Sequence, residues 1–237
     1  MTGPAIAVAG PAPLGQMCQA ASVPARKAPS QFDGIIFDLD GTLWDTCAAC
    51  ALGWNRVLRR SGIAWRPITP DDVRAVAGKP HDQCIRESFP GLPEATLKRL
   101  IEDTQTEDNL AILELGGELY PGVEAGLRAL HTRHPLFIVS NCQAGYIETY
   151  LQTSRQHALF RDFECWGNTG RSKTHNLRAL IERNGLRTPI FVGDTPGDQE
   201  AAAACGVAFA HVRYGFGRCE GAPINAASFA ELVALLK

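Results

Sequence analysis

The sequence predicts an α/β protein, a doubly wound parallel sheet carrying an inserted helical unit. Three observations predict it. Short uninterrupted apolar runs recur with helical patterns between them, and a long stretch after the first run is helical throughout. The runs also end in polar residues of related type. Short continuous apolar runs suit strands buried on both faces, as in a parallel sheet covered by helices.

The first run is GIIF at residues 34–37, and the second is LFIV at 136–139. IFV at 190–192 and VAFAHV at 207–212 follow, with a weaker strand expected at 163–166. Apolar residues at helical spacing mark 123–131 and 175–183, and 229–236 reads as a short amphipathic helix. Strand and helix in alternation give a Rossmann-like core. Residues 45–119 break that rhythm, with helical patterns at 47–60, 71–76, 82–88 and 93–113. Pro67, Pro70, Pro80, Pro90 and Pro93 punctuate the turns between them. The expected division is a disordered leader at 1–30, a core of 31–45 and 119–237, and a helical cap of 46–118. Trp44, Trp54 and Trp65 are expected to pack the cap against the core.

The 237 residues are 45% hydrophobic and 20% charged with a formal net charge of -2. That balance offers no basic field for a nucleic acid polymer. No apolar run is long enough for a membrane span. The leader is rich in Ala, Pro and Gly and lacks the form of a secretory signal. Eight scattered cysteines fit reduced thiols and a cytoplasmic location better than a disulfide framework. Cys47 and Cys50 form an isolated Cys-x-x-Cys pair, read as two residues sharing a helix face.

Residues just beyond the carboxyl ends of parallel strands converge even when far apart in sequence. The first run delivers Asp38-Leu39-Asp40-Gly41-Thr42, the second Ser140-Asn141, and the third Gly193-Asp194-Thr195-Pro196-Gly197-Asp198. Asp38 and Asp40 can divide nucleophile and acid/base work if their surroundings separate them. Asp194 and Asp198 add two more carboxylates, so a cation is needed, and hard oxygen ligands beside phosphate favour Mg2+. Ser140 offers a hydroxyl, and Lys173 precedes a predicted helix where an ammonium would neutralise an anion.

FDLDGTLWDT, GDTPGD, Ser140 and Lys173 in this order resemble the haloacid dehalogenase superfamily. The resemblance is to its phosphatases with a small helical cap, of the phosphoglycolate phosphatase-like subgroup, and it covers nearly all of residues 32–237. It implies a magnesium-dependent phosphatase acting on a small phosphorylated metabolite through an aspartyl phosphate. Asp38 would be nucleophile and metal ligand, and Asp40 the acid/base whose backbone carbonyl also binds metal. Asp194 would bind metal directly, and Asp198 directly or through water. Thr42, Ser140, Asn141 and Lys173 form the expected phosphate-binding set, with Thr42 also ordering the loop after the nucleophile.

A phosphomutase of the same superfamily shares the first step, and a non-catalytic phosphate-binding protein is a further alternative. Asp40 argues against carbon–halogen cleavage, because a leaving halide needs no proton. Gly78-Lys79-Pro80-His81 is the cap segment expected to meet substrate, with Lys79 and His81 as specificity candidates and Arg74 a fainter one. Tyr214-Gly215-Phe216-Gly217 reads as a turn rather than a phosphate cradle.

Overall fold

Ile35, Ile36 and Phe37 have no solvent exposure, so the first apolar run is a central strand. The computed structural model describes residues 1–3 and 31–236. The expectation of a disordered leader falls almost wholly on residues 4–30, outside the described residues.

The chain begins with β1 (Ile35–Phe37) and β2 (Trp44–Asp45). Four helices follow: α1 (Cys47–Arg60), α2 (Pro70–Arg74), α3 (His81–Ser88) and α4 (Glu94–Leu115). After β3 (Glu118–Leu119) come α5 (Val123–His131), β4 (Leu136–Ser140), α6 (Tyr146–Ser154) and β5 (Phe160–Cys165). Then come α7 (Trp166–Thr169), α8 (Lys173–Asn184), β6 (Ile190–Gly193) and α9 (Pro196–Cys205). The chain closes with β7 (Ala208–Val212), β8 (Ile224–Ala226) and α10 (Phe229–Leu235).

The main sheet has the order β5-β4-β1-β6-β7-β8, with every pairing parallel. From β1 the chain winds outward through β4 and β5, then crosses back to continue through β6, β7 and β8. The direction therefore reverses at β1, and the crevice beyond its carboxyl end is the place for a ligand.

Side-chain alternation divides the core between two layers. Ile36, Phe137, Val139 and Phe191 meet Leu177 and Leu180 of α8 and Ala201 and Ala202 of α9. Ile35, Phe37, Ile138 and Val192 face the other way, toward a cluster that includes Leu127 of α5 and Phe229 of α10. Phe37 and Phe229 stack with centroids 6.1 Å apart. Each such fully buried side chain contributes about 1.5–3 kcal/mol.

Helices α1–α4 lie between β2 and β3, which pair antiparallel as Trp44↔Leu119 and Asp45↔Glu118. Trp54 and Trp65 pack around Phe89 inside this insert, at 6.0 and 5.4 Å, rather than bridging it to the sheet. Trp44 instead stands edge-on to Tyr146 and Tyr150 of α6. The strand expected at 163–166 occupies Phe160–Cys165, and Trp166 already begins α7. No helix among the described residues is long and apolar enough to cross a membrane.

Candidate active site

Asp38 continues the line of β1, its N–H donating to the Val192 carbonyl at 2.8 Å. The chain then turns sharply, with Thr42 and Leu43 N–H groups both donating to the Leu39 carbonyl. Gly41 sits at φ +83°, and a Cβ there would fall 2.4 Å from Oδ2 of Asp194. Only glycine allows this turn to lie against that carboxylate.

Asp38, Asp194 and Asp198 are all buried, and one ligand oxygen from each lies within 4.8 Å of the others. Lys173, the first residue of α8, reaches between them. Its Nζ donates to Asp38 Oδ1 at 2.7 Å and to Asp198 Oδ1 at 2.6 Å. Burial opposes the ammonium charge, but Asp198 and Asp38 outweigh it and hold Lys173 above its ordinary value. Asp38 is pushed well above the carboxylate range by burial and by Asp198 and Asp194, with Lys173 pulling the other way. Burial, then repulsion from Asp198, pushes Asp194 up to about 7.

With all three carboxyls ionised, one ammonium would leave negative charge uncompensated, and burial favours their protonation unless a cation joins them. Asp38 Oδ2 is buried without a partner among the described residues. Hard oxygen donors in this number fit a divalent cation. The carboxylates differ in how free they are. Asp198 spends Oδ2 on the Thr195 N–H and hydroxyl, closing the capping box of α9, and Oδ1 on Lys173. Asp194 Oδ2 accepts from the Phe216 N–H at 2.7 Å and the Gly217 N–H at 3.3 Å. The Gly-rich turn is thus a cradle, but for a carboxylate of the protein.

Asp40 turns away from this cluster. Its Oδ1 accepts from Tyr146 Oη at 2.6 Å and from Thr46 Oγ1 at 3.4 Å. Burial pushes its carboxyl up to about 6, against the pull of Tyr146 and Lys173. Any metal contact from Asp40 is left to its backbone carbonyl. Ser140 is buried at the end of β4, where its hydroxyl accepts from the Cys142 N–H at 3.2 Å. Thr42 donates to Asp194 Oδ1 at 3.2 Å, so it braces a carboxylate. Asn141 donates to the Gly78 carbonyl at 2.9 Å, tying the core to the insert, while its own Oδ1 stays buried without a partner among the described residues.

Asp38, Asp40 and Ser140 line a cavity of about 70 Å³ together with Lys79, His81 and Asp108 from the insert. The Lys79 ammonium pairs with Glu87. His81 is buried against Thr104. Arg74 pairs with Asp45 and lies 6.0 Å over the Phe216 ring, a contact between insert and core. Cys47 and Cys50 also line the cavity, and burial pushes both thiols up, away from reactivity. Tyr146, Thr46 and Asp108 were not legible from motif spacing, since each acts through a partner remote in sequence or on a different element.

The family model for haloacid dehalogenase-like hydrolases matches residues 35–212. A phosphoglycolate phosphatase of Agrobacterium fabrum is 30% identical over 193 residues, covering 76% of this chain and 80% of that protein. A 5'-nucleotidase of Pseudomonas aeruginosa is 28% identical over 201 residues, covering 81% and 87%. The solved structure of a predicted phosphoglycolate phosphatase from Haemophilus somnus shares the fold. It has a TM-score of 0.76 and 21% identity, covering 89% of this chain and all (100%) of that one.

Proposed function

The chain belongs to the haloacid dehalogenase-like hydrolases, and from that premise we propose that it is a magnesium-dependent phosphatase of a small phosphate ester. The observation that carries the proposal is Asp38 itself. Oδ1 is held by Lys173, and Oδ2 stands buried and unpartnered at the switch point of the sheet. A carboxylate fixed on one oxygen and idle on the other is oriented for attack.

Asp38 and Asp194 would hold the cation with the Asp40 backbone carbonyl, and Asp198, its oxygens engaged, would act through water. The cation would supply positive charge to the phosphoryl oxygens. Asp38 Oδ2 attacks phosphorus while the bond to the ester oxygen breaks. Asp40 gives the departing alkoxide its proton, and a carboxyl near 6 is placed to carry one. Asp40 then takes a proton from water, which attacks the aspartyl phosphate, and the bond from phosphorus to Asp38 breaks. Phosphate leaves and both carboxyls are restored. Ser140 and Lys173 would bind the phosphoryl oxygens during both steps.

Helices α1–α4 would serve as the cap over this chemistry, latched by Asn141 on Gly78. The names of the relatives support small phosphate esters as substrates, and the small cavity supports a compact leaving group. The test is phosphate release from a panel of small esters, with magnesium and with EDTA. An acid quench and peptide mass analysis should find phosphate on the peptide containing Asp38. Turnover without that adduct, or undiminished in Asp38→Asn, would overturn the mechanism.

A further inference from the structure

The loop that follows β4 runs beneath the insert and is held to it at two points. Asn141 donates to the Gly78 carbonyl, and Asn109 Nδ2 of α4 donates to the Ala144 carbonyl at 3.1 Å. From the core side, the Gly167 N–H donates to the Cys142 carbonyl at 2.9 Å. A Cβ on Gly167 would fall 2.0 Å from the Ala144 nitrogen and 2.3 Å from the Gln143 carbonyl carbon, so only glycine lets α7 press this close. The Gln143 carbonyl in turn accepts from the Tyr146 N–H at 3.4 Å. The backbone of Gln143 is fixed from every side.

Its side chain is not spent in the same way. Gln143 is 3% exposed, and its Nε2 is buried without a partner among the described residues. Three other buried atoms of the cavity-lining residues share that condition, and all three are oxygens: Asp38 Oδ2, Asn141 Oδ1 and Asp108 Oδ1. Asp38 Oδ2 is the attacking atom of the mechanism above. Asp108 Oδ1 packs against α1, 3.0 Å from where a Cβ on Gly53 would stand. Gln143 Nε2 is the one unpartnered buried nitrogen of this wall, and none of these oxygens is hydrogen-bonded to it. A buried N–H in that condition is destabilising unless an acceptor reaches it from outside the fold.

The place of the residue selects which part of a substrate that acceptor belongs to. Ser140 and Lys173 serve the phosphoryl oxygens on the proposed mechanism. Gln143 lies between the two points where the loop meets the insert, and three residues on Tyr146 holds Asp40, the proposed acid. An alcohol leaving phosphorus toward Asp40 moves into the space between core and insert, where this amide stands.

We propose that Gln143 is a specificity-determining residue: its amide N–H donates to an oxygen on the alcohol part of the substrate, so the preferred phosphate ester carries an acceptor oxygen, hydroxyl or carboxylate, beside the ester bond. The inference rests on the phosphatase reading for the position of the alcohol. The cavity of about 70 Å³ keeps that alcohol small.

The test uses the full chain with magnesium and three esters of similar size: 2-hydroxyethyl phosphate, phosphoglycolate and ethyl phosphate. The first two carry a hydroxyl or a carboxylate at the same place, and the third carries neither. Gln143→Met keeps the length of the side chain and removes the donor. It should lose about tenfold in kcat/KM on one or both acceptor-bearing esters relative to its change on ethyl phosphate, mostly through KM. The ester that loses more tells a hydroxyl acceptor from a carboxylate. The urea midpoint of the variant should stay level or rise, because an unpartnered buried donor has been removed. Proportionate loss on all three esters, or no loss on any, overturns the assignment. A lower urea midpoint overturns it too, since the amide would then have a partner within the fold. If the wild-type chain hydrolyses none of the three, calorimetry separates the two readings. Binding of an acceptor-bearing ester that weakens about tenfold in Gln143→Met keeps the role of the amide and removes the phosphatase reading. Binding unchanged by the substitution overturns the assignment, and absence of binding overturns both.

Discussion

The phenol of Tyr146 donates to Oδ1 of Asp40 at 2.6 Å, across 106 positions of sequence. Thr46 touches both, with its hydroxyl 2.5 Å from the phenol and 3.4 Å from the carboxylate. The proposed acid/base is therefore positioned by the first turn of α6 and by the residue entering α1. A carboxylate fixed on one oxygen directs the other toward the leaving group. Tyr146→Phe should lower kcat on an alkyl phosphate roughly tenfold. It should cost much less on p-nitrophenyl phosphate, whose leaving group needs no proton. Steady-state kinetics on the two esters checks this, and equal losses would mean that Tyr146 serves packing alone.

Lys173 is the positive centre among Asp38, Asp194 and Asp198, and it is buried with them. Removing one partner of such a group leaves uncompensated charge in a medium that solvates it poorly. Lys173→Met should destabilise the metal-free protein by about 3–5 kcal/mol. Urea unfolding in EDTA measures it, and a loss below about 1 kcal/mol would show the carboxylates to be neutral or solvated.

A cation held by this cluster is expected to stabilise the fold. A cation that binds the folded chain and not the unfolded one adds about 2.7 kcal/mol at a hundredfold excess over Kd. Thermal unfolding should shift upward on adding magnesium, and the shift should vanish in Asp194→Asn. That variant keeps an oxygen for Thr42 and loses the anionic ligand. A shift that survives would place the ion elsewhere.

His81 carries a pH signature. Burial lowers it in the folded chain to about 4, against 6.5 when exposed. As pH falls below 6.5 the unfolded chain takes up a proton that the folded chain refuses until about 4. Stability from this group is therefore full above 6.5 and is lost on acidification, by roughly 3 kcal/mol across the interval. Burial raises Asp108, which slopes the opposite way, so the total curve hides the effect. The difference in stability between wild type and His81→Gln isolates it and should shrink as pH falls. A difference independent of pH would mean that the ring is protonated in the fold.

The buried parallel strands were legible because burial on both faces leaves unbroken apolar runs, as in Ile35–Phe37 and Leu136–Ser140. The gathering of Asp38, Asp194 and Asp198 was legible because residues just after parallel strands converge, and Lys173 joins them from the start of α8. Helix α9 was not, since its run of alanines carries no amphipathic stripe. Nor was α6, or the short edge strand β8. The family resemblance implies Thr42 and Asn141 as phosphate ligands, with Thr42 also ordering its loop, and in the fold Thr42 donates to Asp194 and Asn141 to Gly78. Side-chain direction after a turn depends on which neighbour arrives, and that neighbour is distant in sequence. Asp108 lies on a helix face that only the packing of α1 against α4 turns toward the cavity.

The antiparallel pair Trp44↔Leu119 and Asp45↔Glu118 has a consequence for how such a chain diversifies. The strands entering and leaving the four-helix insert run side by side, so a short turn could join them and the sheet would keep its order. Residues 46–117 would thus be an exchangeable cassette, and on the proposed mechanism the residues that handle the phosphoryl group lie outside it. Thr46 is the exception, because it sits at the cassette's first position and touches Asp40. Any exchange of the cassette must carry a hydroxyl there or find another way to steady Asp40.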